Sequence, residues 1–237
     1  MTPYLFGRLL EGLWVTLQLT VLGALLGLVF AFVAGLARLS TRKWVRAIAF
    51  AYTEIFRGFP ALVLLFWLIF VVPQFGYALD TLVAGVLALA LNIGAYAAEV
   101  VRGAVRSVPV GQTEAAIALN FTPSQRMRKV ILPQAVVAMI PPFSNNLIEL
   151  LKATALVSLV YISDLTFAGR LVRDTTGETA TVYLGLLVGY GVVALAFTAL
   201  MRYLERVAAR SLGREVPPGI ATRLFKGKRG NETVGVA

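Results

Sequence analysis

The chain contains no cysteine and no histidine. Disulfides, thiolate or imidazole catalysis and zinc sites of the usual kind are therefore excluded. Charge is also scarce: Asp, Glu, Lys and Arg make up 14% of the 237 residues, while 58% are hydrophobic. An average soluble domain is about 25% charged and about 45–50% apolar. No GxxxxGK[ST] run is present to cradle nucleotide phosphates; Gly227-Lys228-Arg229-Gly230 lacks both the spacing and the hydroxyl. HExxH is impossible without histidine, and no GxSxG elbow occurs. The chain is expected to be no enzyme, to hold no metal or cofactor, and to hydrolyse no ATP by itself.

What is present is apolar sequence in long runs, with a mean hydropathy of +0.79. The net charge of +10 would suggest nucleic acid in a soluble protein. Here the basic residues sit in blocks between apolar runs, so membrane topology explains them and no nucleic-acid partner is expected.

Residues 1–11 carry one Arg and one Glu and no cleavage pattern, so no cleaved signal peptide is expected. Residues 12–37 hold no charge. About 20 apolar residues cross a 30 Å hydrocarbon core, so this run predicts a first span, with Trp14 as an interfacial anchor. The next segment, 38–46, has four basic and no acidic residues and should be cytoplasmic. Further spans are expected over about 58–79, 81–101, 134–163 and 179–201. The third is rich in Ala and Gly, which suits close helix packing, with Asn92 and Tyr96 as polar marks. It should continue as a helix until Pro109. The fourth should be interrupted by Pro141-Pro142, Asn145, Asn146 and the charges of Glu149 and Lys152. Residues 164–178, mixed in sign, should be external. The basic tail, 202–237, should be cytoplasmic, first helical and then loose past Pro217-Pro218. The prediction is one all-α integral membrane domain over 1–237, with five transmembrane helices, the N-terminus outside and the C-terminus cytoplasmic.

Between the third and fourth spans lies a cytoplasmic loop, about 102–133. Its stretch Glu114–Pro133 opens with an acid and small residues (Ala115, Ala116), then Asn120, the Thr122-Pro123 break and a basic run. Glu114 suits a helix N-terminus, and alanines allow another surface to approach. Two readings stand: a docking surface for a soluble partner, or a short amphipathic helix on the membrane.

Gly111-Gln112-Thr113-Glu114-Ala115-Ala116 with Ile131-Leu132-Pro133-Gln134-Ala135 resembles the EAA loop of ABC importer permeases. More narrowly, it is similar to the polar amino-acid uptake family, which includes histidine, glutamine, glutamate, arginine and opine permeases. Leu13–Thr20, Tyr52–Pro60, Ala97–Gly103 and Asn146–Lys152 resemble that family's other signatures, in its order. The chain departs from the pattern at Asn120 (usually Gly), Phe59 (often Thr) and Ala153 (often acidic). Asn tolerates a left-handed backbone, so the turn should survive.

The resemblance implies a type I ABC importer permease fold in the cytoplasmic (inner) membrane of a prokaryote. It implies a second permease subunit, a cytoplasmic ATPase subunit that binds ATP and magnesium, and an extracytoplasmic solute-binding protein. Gly111, Gln112, Glu114, Ala115, Ala116, Leu119, Asn120, Phe121 and Thr122 would contact the ATPase. Asn145, Asn146, Glu149, Lys152, Thr154 and Ser158 would line the path of a polar amino acid moved by alternating access, or Glu149 and Lys152 form a self-satisfied pair. Glu54, Arg57, Glu99 and Arg102 are candidates for a gate or subunit contact, against plain charge pairs at the membrane surface. A compatible solute (ectoine-like) or opine is the alternative cargo. The competing class is a stand-alone channel or secondary carrier.

Overall fold

The computed structural model describes residues 3–211; the tail expected to be loose past Pro217-Pro218 lies outside them. The elements are α1 (Pro3–Ala37), α2 (Lys43–Gly58), α3 (Ala61–Phe66), α4 (Thr81–Arg106), α5 (Val110–Ala118), α6 (Pro123–Arg126), α7 (Leu132–Thr154), α8 (Leu165–Thr176) and α9 (Thr179–Ser211). A π turn (Trp67–Val71) and a 3₁₀ turn (Val72–Phe75) prolong α3, a π turn (Met127–Ile131) joins α6 to α7, and a 3₁₀ turn (Ala155–Val160) prolongs α7.

Among the described residues, four runs are long and apolar enough to cross a membrane: Tyr4–Ala37, Thr81–Arg106, Pro123–Val160 and Thr179–Arg210. The pair Lys43–Gly58 and Ala61–Phe75, bent by 101°, passes the same test only when taken together and then counts as a fifth. Pro60 causes the elbow. Its ring disfavours helical backbone in the residue before it, and Phe59 is extended at φ −91°, ψ 137°. The elbow turns α2 away from the direction of the segment Ala61–Phe75.

α1 and α4 form the central pair. In lipid a buried leucine gains little by leaving hydrocarbon, so association rests on close contact between small residues. Gly35 illustrates this: a Cβ there would stand 2.7 Å from the Ala98 carbonyl oxygen and 2.7 Å from Val101 Cβ. Ala31, Ala97, Val101, Ala135 and Met139 are buried together on the half of the interface nearer the α1 C-terminus. Leu19, Ala88, Leu89, Leu65, Leu150 and Val157 fill the other half, which brings α3 and α7 onto the pair.

Helix ends follow local chemistry. Asp80 caps α4 by accepting from Leu82 N at 2.9 Å and Val83 N at 3.2 Å. Asp164 caps α8 through Phe167 N at 2.9 Å. α7 differs from the interrupted span expected, because Pro141 and Pro142 lie inside a continuous helix. Their missing N–H groups cost two ladder bonds, yet a proline kink or break is not obligatory in a membrane helix whose neighbours and side chains re-satisfy the backbone.

The start of α8 is clamped to α1 and α9. Thr16 Oγ1 accepts from Leu165 N at 3.1 Å, and Tyr190 donates its hydroxyl to Asp164 Oδ2 at 3.0 Å. Gly12 makes the approach feasible, since a Cβ there would lie 2.7 Å from the Asp164 carbonyl oxygen. Burial raises the Asp164 carboxyl above the usual range, with the hydrogen bonds from Phe167, Thr166 and Tyr190 opposing that rise.

Candidate docking helix and polar cavity

The 102–133 segment resolves into the last turns of α4, the nine-residue helix α5, a tight turn, and the helical run through α6 into α7. Ala116 is 2% exposed and seats α5 on the protein. Val110, Ile117 and the capping residue Leu119 are 71%, 52% and 69% exposed, and Gly111, Gln112, Glu114 and Ala115 are exposed too. α5 thus turns a wide apolar face, with one acid, away from its own chain.

The turn after α5 fixes that orientation. Asn120 N donates to the Ile117 carbonyl at 2.8 Å and Phe121 N to the Ala116 carbonyl at 3.0 Å, the paired bonds of a Schellman closure. Asn120 takes the left-handed conformation at φ 58°, so the residue standing where glycine is usual holds the turn glycine would. Thr122 then opens α6 with a capping box: its Oγ1 accepts from Gln125 N at 3.4 Å while its own N–H donates to Gln125 Oε1 at 2.9 Å. The Lys129 ammonium lies 5.8 Å from the Phe121 ring centre. Gln134 Nε2 donates to Gln112 Oε1 at 3.1 Å, tying α5 to the base of α7.

Farther along α7, a cavity of about 330 Å3 opens against α4. Asn92 and Tyr96 come from α4, Asn146 and Glu149 from α7, between the apolar walls of Leu89, Ile93, Leu150 and Ala153. Asn146 Nδ2 is buried without a hydrogen-bond partner among the described residues, although a buried amide donor left unpaired costs about 1–3 kcal/mol. Glu149 pairs with Lys152 at 2.8 Å, both side chains 66% exposed. Asn145 is exposed on the same helix and does not line the cavity.

Thr154 and Ser158 point elsewhere. Thr154 is fully buried and donates to the Leu151 carbonyl at 2.6 Å; Ser158 donates to the Ala155 carbonyl and accepts from Arg170 Nη2 at 2.9 Å. Both serve the end of α7 and its contact with α8.

Asn92 and Tyr96, read in the sequence only as polar marks, connect the cavity to the elbow. Asn92 Nδ2 donates to the carbonyls of Phe56 at 2.8 Å and Phe59 at 3.2 Å, and the Tyr96 hydroxyl to that of Arg57 at 3.2 Å. These are carbonyls that the end of α2 leaves without helical partners.

Glu54, Arg57, Glu99 and Arg102 are drawn into one ionic cluster by Arg38, a residue sequence reasoning assigned only to topology. Arg38 Nη1 meets Glu99 Oε1 and the Thr53 hydroxyl, and lies 3.8 Å from Glu54. Arg102 Nη2 lies 2.7 Å from Glu99 Oε2, and Arg57 lies 3.7 Å from Glu54. The cluster fastens the end of α1 to α2 and α4. Among the described residues no group of His, Cys, Asp or Glu is arranged to hold a metal ion.

Comparison with known proteins places this arrangement. Residues 23–210 match the family described as binding-protein-dependent transport system inner membrane component. A probable amino-acid ABC transporter permease protein, y4tF of Sinorhizobium fredii (strain NBRC 101917 / NGR234), is 45% identical, covering 87% of this chain and 90% of that protein. A crystal structure of an amino acid ABC transporter with histidines superposes with a TM-score of 0.79 at 35% identity, covering 85% of this chain and 94% of that one. The inward-facing MetNI methionine ABC transporter superposes with a TM-score of 0.76 at 26% identity, covering 88% and 99%. In this family ATP hydrolysis belongs to a separate subunit. The chain therefore belongs to the inner membrane components of binding-protein-dependent transport systems, the permease subunits of ABC importers.

Proposed function

We propose that this permease carries a polar amino acid, or a related small solute, across the cytoplasmic membrane of a prokaryote by ATP-driven alternating access. The observation that carries the reading is the link between α5 and α7. A helix whose apolar side chains have no partner among the described residues is hydrogen-bonded to the helix that lines the cavity. Exposed contiguous apolar surface marks an interaction site. An ATPase subunit docked on α5 would press on α7 directly, and its ATP-dependent closure would supply the differential free energy that a change of access requires.

In this reading ATP and magnesium are held by the partner, and this chain needs no cofactor. An extracytoplasmic solute-binding protein delivers the cargo. A second permease subunit closes the pathway against the exposed side of α7. Glu149 faces the ammonium of the cargo, while Asn146 offers an N–H donor that has no partner among the described residues. The relatives named for amino acids support that cargo class. The basic segment 38–46 supports a cytoplasmic α1–α2 loop and an external N-terminus.

Reconstitution tests this. Proteoliposomes containing the chain with its ATPase and binding protein should accumulate labelled amino acid only with internal ATP. Uptake by the chain alone would contradict the reading and favour a stand-alone carrier.

A further inference from the structure

Beside the Arg38 cluster a second cavity, about 450 Å3, opens between the start of α2 and the end of α4. Arg38, Lys43, Arg46, Arg102 and Arg106 converge on it, with Phe50 as its aromatic wall. Two acids stand near these cations. Glu99 pairs with Arg38 and Arg102, and Glu54 lies 3.8 Å from Arg38. Lys43, Arg46 and Arg106 have no carboxylate within 4.0 Å among the described residues. Among the described residues, the one side-chain hydrogen bond of the three runs from Arg46 Nη1 to the Ser40 carbonyl at 3.4 Å. The helix dipole adds to the repulsion among them, since Lys43 and Arg46 stand in the first turn of α2, which holds no acid.

We propose that this cavity binds the phosphate group of an anionic phospholipid. Cations from two segments far apart in sequence, 38–46 and 102–106, surround one space, and a tetrahedral phosphate can accept from several guanidinium and ammonium donors at once. The lipid source follows from the flank of the cavity. Phe50 in the cavity wall is 51% exposed, and Trp44 and Ile48 on another face of α2, 63% and 65% exposed, line an apolar groove against α1. So α2 carries basic and apolar faces side by side, as on a helix lying at the membrane surface. A site for a freely soluble anion has no use for that border. Basic pockets between helices on the cytoplasmic side are a recurrent setting for acidic headgroups.

The test is retention of dioleoyl-phosphatidylglycerol against dioleoyl-phosphatidylcholine by the purified full-length chain, followed by native mass spectrometry. Phosphatidylglycerol should be retained preferentially. Lys43→Gln and Arg46→Gln should each weaken its retention roughly five-fold, and the double variant roughly thirty-fold. Lys43→Arg, which keeps the charge, should restore retention, separating loss of the site from loss of fold. Arg42→Gln, in the same loop but outside the cavity wall, should have little effect. Equal retention of the two lipids, unchanged retention in the double variant, or an equal loss with Arg42→Gln would overturn the proposal. So would displacement of the lipid by an equal concentration of glycerol phosphate, which would give the site to a soluble anion.

Discussion

Gln134 Nε2 donates to Gln112 Oε1 at 3.1 Å, and this bond joins the outward-facing helix α5 to the helix that carries Asn146 and Glu149. The sequence separation is 22 residues, spanned by a Schellman turn and a capping box that leave α5 little freedom to swing independently. A force applied to α5 therefore reaches α7 through a short, stiff connection.

Gln112→Ala should weaken that connection without removing the docking face. One neutral hydrogen bond is worth about 0.5–1.5 kcal/mol, so binding of the ATPase should persist while transport falls several-fold per ATP hydrolysed. The ratio of uptake to phosphate release in proteoliposomes measures this. An unchanged ratio would show that the bond carries no coupling.

Asn120 sits at φ 58°, so Asn120→Gly should fold and transport like the parent. Asn120→Val should destabilise the turn by about 1–2 kcal/mol, the cost of a left-handed backbone for an ordinary residue. Thermal unfolding in detergent and ATPase pull-down should then fall together for valine alone.

Glu149 and Lys152 pair at 2.8 Å on an exposed face, but only Glu149 lines the cavity. Glu149→Gln should raise the KM for uptake roughly ten- to hundred-fold, the range for a charge-assisted hydrogen bond. Lys152→Met should have a smaller effect. Equal effects of the two would mean that the pair is structural and the cargo is held elsewhere. Asn146→Leu should lower uptake without destabilising the fold, because the buried Nδ2 has no partner to lose.

Asp164 is fully buried, caps α8 and accepts the Tyr190 hydroxyl. Asp164→Ala should cost about 0.5–2 kcal/mol for the cap, and more for the lost bond from Tyr190, whose hydroxyl keeps only Thr166 at 2.8 Å. Folding raises the carboxyl's pKa through burial, so the native state binds the proton more tightly than the unfolded chain does. Its contribution is therefore most favourable below the unfolded pKa and declines as pH rises through the folded one. Asp164→Asn keeps an acceptor without the buried charge, so its melting temperature should gain on the parent's as pH rises from the acid range to neutrality. A constant gap would refute this.

Much of the fold is written locally. Uncharged runs mark α1, α4 and α9, Asp80 and Asp164 stand where α4 and α8 are capped, and Pro60 stands at the elbow because it acts on the residue beside it. The Asn120 turn was legible for the same reason. Pro141-Pro142 suggested an interruption, but membrane context and tertiary packing decided for a continuous helix. Relations between distant segments were not legible. Nothing near Arg38 says that Glu54 and Glu99 will meet it, and nothing near Asn92 says that it will cap carbonyls at the end of α2. Helical spacing put Thr154 and Ser158 near Glu149 in sequence, but their hydroxyls serve backbone carbonyls and Arg170. Val110 and Ile117, apolar and exposed on α5, were passed over because the loop was read for its polar and small residues.

The central claim is that the outward face of α5 receives the ATPase. Ala115 is the most direct probe, being exposed where Ala116 is buried, so that Ala115→Arg alters the face without a packing defect. Co-purification of the ATPase with membrane-inserted Ala115→Arg chain, measured beside ATP-dependent uptake, decides it. The account predicts normal insertion, loss of the co-purifying ATPase and uptake at background. Normal co-purification and normal uptake would contradict it.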